Sequence, residues 1–208
     1  SYLNSIIYTV TGTLLSVIVT LTMAYGLSRR FLGKGIFNFL VVFTMFFSGG
    51  LVPLYMTVSS LGLISTKTIL IIFVAVNTYN LIIARTFIET SIPEDLYEAA
   101  SIDGATKGRQ FLSITIPLIS PVIFYNLVTQ LVQAFQEFNG PYIITNGGPR
   151  NATTLISVIV YNTAFKDYKV GMSSAMAWVM FVIVMVLTVI AFVSQKKWVY
   201  YSDDDGRG

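Results

Sequence analysis

The chain has 208 residues, of which 54% are hydrophobic and only 11% are charged. Soluble domains carry about 25% charged residues, so this composition predicts a membrane protein. The absence of Cys and His from these residues excludes disulfides, a zinc-protease motif and a Ser-His-Asp triad. The net charge of +3 does not indicate nucleic-acid binding, because the placement of Lys and Arg matters more in membrane chains.

Long segments without charged residues alternate with short polar segments. A helix needs ~20 apolar residues to cross a bilayer, and five segments approach that length. We therefore predict an all-α, polytopic membrane helical bundle with five spans. The predicted spans are residues 6–27, 36–58, 68–84, 119–136 and 172–193.

The start of the chain shows neither a signal peptide nor an initiator Met. We expect a segment of a longer protein, in which a sixth span precedes Ser1. Within the second predicted span, the sequence Ser48-Gly49-Gly50 and Pro53 form an interruption. Such a break can line a cavity in a transporter, but we favour a flexible end of the span near the outer surface.

A polar island at residues 91–105 separates the third and fourth predicted spans. Pro93 suits the first position of a helix, and Glu94 and Asp95 in the first turn are favourable to the helix dipole. Gly104 follows at the position where a residue with positive φ ends a helix. The island therefore contains a short helix with clear start and stop signals.

One face of this predicted helix is small and apolar, because Leu96, Ala99 and Ala100 lie at helical spacing. A second helical piece over residues 106–113 leads to Pro117 and the next span. The spacing alone leaves two interpretations open. The helix either presents itself to a soluble partner or lies on the membrane as an ordinary amphipathic segment.

A motif in the island resembles the cytoplasmic loop of permease subunits of bacterial binding-protein-dependent ABC importers, in particular the maltose-type sugar permeases. The residues that carry the resemblance are Glu98-Ala99-Ala100-x-x-Asp103-Gly104-Ala105, Phe111, Ile114, Pro117 and Pro121. In that family the loop forms a coupling helix that docks on an ATPase subunit. The resemblance implies one importer transmembrane domain over residues 1–208, with a coupling loop at about 89–118. It assigns ATPase coupling to Glu98, Ala99, Ala100, Asp103 and Gly104.

The resemblance also implies partners. They are a second permease in a heterodimer, two ATP-binding subunits, an extracytoplasmic solute-binding protein and membrane lipid. ATP would be hydrolysed by the partners, because the chain has no Gly-x-x-x-x-Gly-Lys-Ser/Thr loop, so we expect no enzyme, catalytic residue, cofactor or metal site here. The expected solute is a sugar or oligosaccharide. Import of a peptide or glycerol phosphate, and a non-transporting anchor, stay open as alternatives.

Polar side chains at helical spacing mark one face of the third and of the fourth predicted span. Polar groups are costly in hydrocarbon and normally face a cavity or another helix. Amides and a carboxylate suit the hydroxyls of a neutral sugar, but they also suit hydrogen bonds between helices. The candidate pathway residues are Asn77, Asn80, Asn126, Gln130, Gln133 and Glu137.

The basic residues predict the orientation in a bacterial inner membrane. With the start of the first span outside, nine Lys and Arg lie inside and four lie outside. The island and the C-terminus are then cytoplasmic, and residues 202–208 form a disordered tail. Outside, the loop over residues 139–169 is predicted to contain an apolar helix at 153–165, either interfacial or re-entrant.

Overall fold

The computed structural model describes residues 2–47, 49–64, 66–145, 148 and 153–201, and no strand occurs in these ranges. The prediction of an all-α fold is confirmed for this part of the chain. Two π-helical turns, Phe111–Thr115 and Gly140–Ile144, accompany the α-helices. The helices are α1 (Tyr2–Ser28), α2 (Lys34–Phe46), α3 (Leu51–Ser60), α4 (Lys67–Phe73), α5 (Thr78–Ser91), α6 (Glu94–Ile102), α7 (Lys107–Gln110), α8 (Ile116–Leu118), α9 (Ser120–Phe135), α10 (Ile156–Phe165) and α11 (Val170–Gln195).

Helix α1 is the centre of the bundle and packs against α4, α5 and α9. Its buried face is a stripe of hydroxyl side chains, and its opposite face exposes residues such as Leu14 and Ile18. Small side chains allow helices to approach closely where hydrocarbon surrounds the bundle. The stripe consists of Ser5, Thr9, Thr13, Ser16 and Thr20.

Two helices, α1 and α11, are long and apolar enough to cross a membrane. Two further pairs, α2 with α3 and Lys107–Leu118 with Ser120–Ile144, qualify only as bent spans, with bends of 116° and 74°. The described residues therefore provide two spans, or four if each bent pair is one span. The expected count of five is not confirmed.

The third predicted span, residues 68–84, is not one helix, and this prediction was wrong. Helix α4 ends at Phe73, and α5 begins at Thr78. The Asn77 side chain caps α5 by accepting a hydrogen bond from the Asn80 amide at 3.0 Å. Gln130 on α9 donates to the free Val74 carbonyl at 2.9 Å, so side chains satisfy the backbone groups released by the break.

The second predicted span is interrupted by a sharp bend between two helices rather than by a flexible end. Helix α2 ends at Phe46 and α3 begins at Leu51, with their axes at 116°. Gly50 between them has φ of +80°. Ser48, which is part of the predicted interruption, lies outside the described residues, as does the predicted tail at 202–208.

Contacts between distant segments fit the predicted topology. The Tyr200 amide donates to the Ser120 hydroxyl at 2.7 Å, which joins the segment after α11 to the start of α9. The Ile156 amide donates to the Ser5 hydroxyl at 3.0 Å, which joins the start of α10 to the start of α1. The first pair belongs to the predicted inner side and the second pair to the predicted outer side.

Candidate functional site

Helix α6 forms where the punctuation of the sequence predicts it. Pro93 is the cap rather than the first helical residue, a difference of one position, and Glu94 lies in the first turn. At the other end, the Ala105 amide donates to the Ala100 carbonyl at 2.9 Å and the Gly104 amide to the Ser101 carbonyl at 3.1 Å. This pair of bonds is a Schellman turn, which needs a residue with positive φ.

Gly104 supplies that conformation with φ of +76°. The turn redirects the chain from α6 into α7, whose start is capped by Thr106. Gln110 then closes the angle between the two helices, because its buried amide donates to the Ser101 hydroxyl at 2.9 Å and to the Ala105 carbonyl at 3.1 Å. The helix-turn-helix is therefore held by its own side chains. The sequence analysis missed Gln110, because its partners are close only after the turn has formed.

The two faces of α6 differ in chemistry. Tyr97 faces inward, is 7% exposed, and shares a 2.8 Å hydrogen bond with the Thr115 hydroxyl. The outward face is apolar: Ala99 is exposed, and Leu96 and Ile102 are 41% and 87% exposed. The protein thus displays an apolar strip about two turns long at the end of the bundle.

Acidic residues border this strip. Asp95 and Asp103 lie one turn before and one turn after Ala99 on the same row of the helix, and both are exposed. Helices that lie on anionic membranes carry Lys and Arg beside their apolar face, whereas α6 contains none. Acids at the border of an apolar strip favour a protein groove over a lipid surface.

Glu98 lies at the flank of α6 and lines a groove of about 350 Å³ with Arg29, Lys107 and Gln110. The predicted coupling residues therefore have three placements. Ala99 and Asp103 face outward, and Glu98 faces the groove. Ala100 is half-buried, and Gly104 lies in the turn that follows the helix.

Ion pairs link neighbouring elements at the base of the helix-turn-helix. Glu89, at the end of α5, binds Lys34 at 2.8 Å and Arg85 at 3.0 Å. Burial alone would raise the pKa of the Glu89 carboxyl, but hydrogen bonds from Lys34 and Arg85 hold it below its usual value. Arg30, in the loop after α1, binds Glu94 on α6 at 2.6 Å.

The predicted pathway residues fall into two groups. Asn126 and Gln130 are 1% and 3% exposed and lie inside the chain. Asn80 is also buried and donates to the Thr129 hydroxyl at 3.3 Å. Asn80 and Gln130 therefore contribute to the contact of α9 with the α4–α5 break, whereas the Asn126 amide donates to the Val122 carbonyl of its own helix at 2.8 Å.

The other residues lie nearer the surface. Gln133 is exposed, and its carbonyl oxygen accepts a 2.8 Å hydrogen bond from the half-buried Asn77 amide. Glu137 is half-buried and accepts a hydrogen bond from the Gly140 amide at 3.0 Å. The predicted stripe therefore follows one face of α9 and continues past its end to Glu137, but Asn126 and Gln130 are buried and only Gln133 is exposed.

The described residues thus form an apolar helical bundle that displays a capped helix at one end. Residues 12–198 match the family described as "Binding-protein-dependent transport system inner membrane component". The chain belongs to this family. The resemblance to permease subunits of binding-protein-dependent importers, noted in the sequence, is thereby confirmed at the level of the family.

Individual relatives agree with this membership. The chain is 46% identical to the polygalacturonan/rhamnogalacturonan transport system permease protein YtcP of Bacillus subtilis, over 59% of this chain and 43% of that protein. It is 31% identical to the sn-glycerol-3-phosphate transport system permease protein UgpA of Agrobacterium fabrum, over 97% of this chain and 78% of the relative. A crystal structure of a bacterial ABC transporter that imports the acidic polysaccharide alginate superposes with a TM-score of 0.79 at 26% identity, covering 95% of this chain and 74% of the other.

The first curated relatives are longer than this chain, which spans 38% to 43% of their length. Family membership places the chain in the inner membrane as a multi-pass helical protein. The family is a transport component rather than an enzyme family, and its members work with other components of ABC systems.

Proposed function

We propose that the chain is a permease subunit of an ATP-driven ABC importer. It forms part of the translocation pathway for a sugar or oligosaccharide and couples through α6 to a separate ATPase subunit. Relatives named for polygalacturonan or rhamnogalacturonan and for sulfoquinovosyl glycerol support this solute class, as does the alginate importer.

The outward face of α6 is the observation that carries the proposal. A strip of Leu96, Ala99 and Ile102 costs free energy when it faces water, because apolar area exposed to water costs ~25 cal/mol per Å². The small side chain of Ala99 at its centre lets a partner groove approach the helix backbone. Asp95 and Asp103 at its border then fit a groove with basic residues at its edge.

The proposed assembly has a second permease subunit, two ATP-binding subunits and an extracytoplasmic solute-binding protein. When the ATPase subunits close, α6 moves with them as a rigid unit, because Gln110 and the Gly104 turn hold α6 to α7. The attached helices α5 and α9 then switch the access of the pathway between the two sides of the membrane.

Within the pathway, the exposed Gln133 and its partner Asn77 are the residues we propose for solute contact, with Glu137 beside them. The buried Asn80, Asn126 and Gln130 border the same route from behind, and Asn80 and Gln130 hold the α4–α5 break in place. We therefore propose that the solute binds at the outer half of α9.

A second candidate solute is a glycerol phosphate, because the relative that aligns with 97% of the chain is an sn-glycerol-3-phosphate permease. The two candidates differ in charge. Competition of labelled solute uptake by neutral oligosaccharides and by glycerol phosphate, in the same vesicles, distinguishes them.

Coupling is tested with Ala99→Trp in the complete transporter, reconstituted in vesicles. A Trp at the centre of the outward face blocks a close groove, so we expect uptake and solute-stimulated ATP hydrolysis to fall at least tenfold. Ser91→Trp, exposed at the end of α5 but outside that face, is the matched control and should keep both activities. Normal coupling in Ala99→Trp would overturn the proposal.

A further inference from the structure

One side chain connects α1 directly to the inward face of α6. The Arg29 guanidinium lies over the Tyr97 ring, with its central carbon 3.3 Å from the ring centroid. The guanidinium also lies 4.7 Å from the centroid of the Tyr25 ring and donates to the Tyr25 hydroxyl at 3.0 Å. Arg29 therefore contacts an aromatic residue of α1 and an aromatic residue of α6.

The contact continues into the second half of the helix-turn-helix. The Tyr25 ring lies 4.7 Å from the Phe111 ring, which belongs to the π-helical turn after α7. The Tyr97 hydroxyl bonds to Thr115 in the same turn. The end of α1 therefore contacts both α6 and the segment that leads to α9.

Burial of the Tyr97 ring makes the Arg29–Tyr97 contact stronger than the neighbouring Arg30–Glu94 ion pair. Tyr97 is 7% exposed, and a cation over a shielded ring gains more than an exposed one, because water competes less. The adjacent Arg30–Glu94 pair has side chains that are 84% and 56% exposed. Exposed ion pairs of this kind contribute little to stability.

We propose that Arg29 is a positioning residue that transmits movement of α6 to α1. The proposal rests on the proposed coupling role of α6. The chain connects α6 to α5 and, through α7, to α9, so without Arg29 a moving α6 would act on α1 through those two helices and through the exposed Arg30–Glu94 pair. Arg29 gives α1, the centre of the bundle, its own connection to the ATPase-facing helix.

The planar guanidinium suits this role, because it lies over the Tyr97 ring while one of its N–H groups donates to the Tyr25 hydroxyl. Loss of the Tyr97 ring should then have the same effect as loss of the Arg29 cation. Loss of the Tyr97 hydroxyl alone should leave the stack intact.

The experiment measures solute transported per ATP hydrolysed in the complete, reconstituted transporter. We expect Arg29→Gln to lower this ratio about tenfold, which corresponds to ~1.4 kcal/mol of lost coupling. Tyr97→Leu should lower it by a similar factor, and the Arg29→Gln/Tyr97→Leu double variant should be no worse than either single variant. Tyr97→Phe, which keeps the ring, and Arg30→Gln, which removes the exposed pair, are the matched controls and should keep the ratio.

A ratio that stays within twofold of the parent in Arg29→Gln and in Tyr97→Leu overturns the proposal. A loss that is equal in Tyr97→Phe and Tyr97→Leu also overturns it, because the hydroxyl rather than the stack would then matter. If Arg29→Gln does not assemble, the comparison of the two Tyr97 variants decides alone.

Ala99→Trp separates this inference from the proposed function. Coupling lost in Ala99→Trp but kept in Arg29→Gln refutes the connection and leaves the docking role of α6 standing. Coupling kept in both variants refutes the docking role itself.

Discussion

Helix α1 lies close to the α4–α5 break at Gly12, and replacing this residue by Ala is a sharp test of the packing. A Cβ at this position would lie 2.6 Å from the Cγ2 atom of Val74, which is next to the α4–α5 break. Two carbon atoms prefer about 3.5–4.0 Å, so the overlap is roughly 1 Å. The branched Val74 side chain has few alternative rotamers, so the helices themselves must separate.

The magnitude follows from two opposing terms. Overpacking of a well-filled contact costs about 1–3 kcal/mol, whereas Gly to Ala in a helix interior gains about 1 kcal/mol of propensity. Gly26→Ala is the matched control in the same helix, because no atom lies within 4 Å of its added Cβ. We expect Gly12→Ala to unfold at a temperature roughly 2–12 °C below that of Gly26→Ala, since ~1–3 kcal/mol separates them.

The assay is thermal unfolding of the purified protein in detergent, followed by the fraction that stays monodisperse. Adding Val74→Ala to Gly12→Ala removes the methyl that the new Cβ meets, so the double variant should recover part of the loss. A melting temperature of Gly12→Ala equal to or above that of Gly26→Ala would refute the close approach of α1 to the break.

Three further predictions concern the turn, the ion-pair network and the polar stripe. Gly104→Ala should destabilise the protein by about 1–2 kcal/mol in thermal unfolding, because φ of +76° strains an L side chain, while Gly108→Ala, which has open space and no positive φ, should not. The lowered pKa of Glu89 stabilises the fold above the unfolded value of 4.5, and this contribution is lost as the pH falls through the folded pKa. A pH series of melting temperatures should therefore be flatter below pH 4.5 in Glu89→Gln than in the parent. Gln133→Leu should impair solute uptake without changing the melting temperature, whereas Gln130→Leu should change the melting temperature, because Gln130 is buried and bonds the Val74 carbonyl.

Local signals in the sequence were sufficient for the helix-turn-helix. Pro93, the acids of the first turn and Gly104 act on their immediate neighbours, so the start, the end and the turn of α6 follow from short-range physics. The family motif lies in the same segment. This is why the helix-turn-helix was located from the sequence, although the predicted count of five spans was not confirmed.

The break between α4 and α5 could not be predicted in the same way. The segment carries no charged residue, and the side chain that bonds the Val74 carbonyl at the break belongs to Gln130, which is 56 residues further along the chain. The Asn77 cap is local, but an Asn within an apolar segment also fits a continuous helix. Hydropathy alone therefore predicted one span where the structure has two helices.

The hydroxyl stripe of α1 was readable but was overlooked. Ser5, Thr9, Thr13, Ser16 and Thr20 lie on one helical face, and their burial shows that this face is the packed one. Hydropathy treats such residues as neutral, although in a membrane bundle they mark close helix contacts. The same reasoning explains why the buried part of the polar stripe on α9 was not separated from its exposed part.

The most direct test of the central claim uses a single thiol on α6. These 208 residues contain no Cys, so Ala99→Cys introduces a thiol that is unique within them. In vesicles of known orientation that contain the complete transporter, the account predicts cross-linking of this thiol to the ATPase subunit. It also predicts labelling by a membrane-impermeant maleimide from the cytoplasmic side once the ATPase subunit has been stripped away. Labelling from the outer side, or no cross-link and no protection by the ATPase subunit, would contradict it.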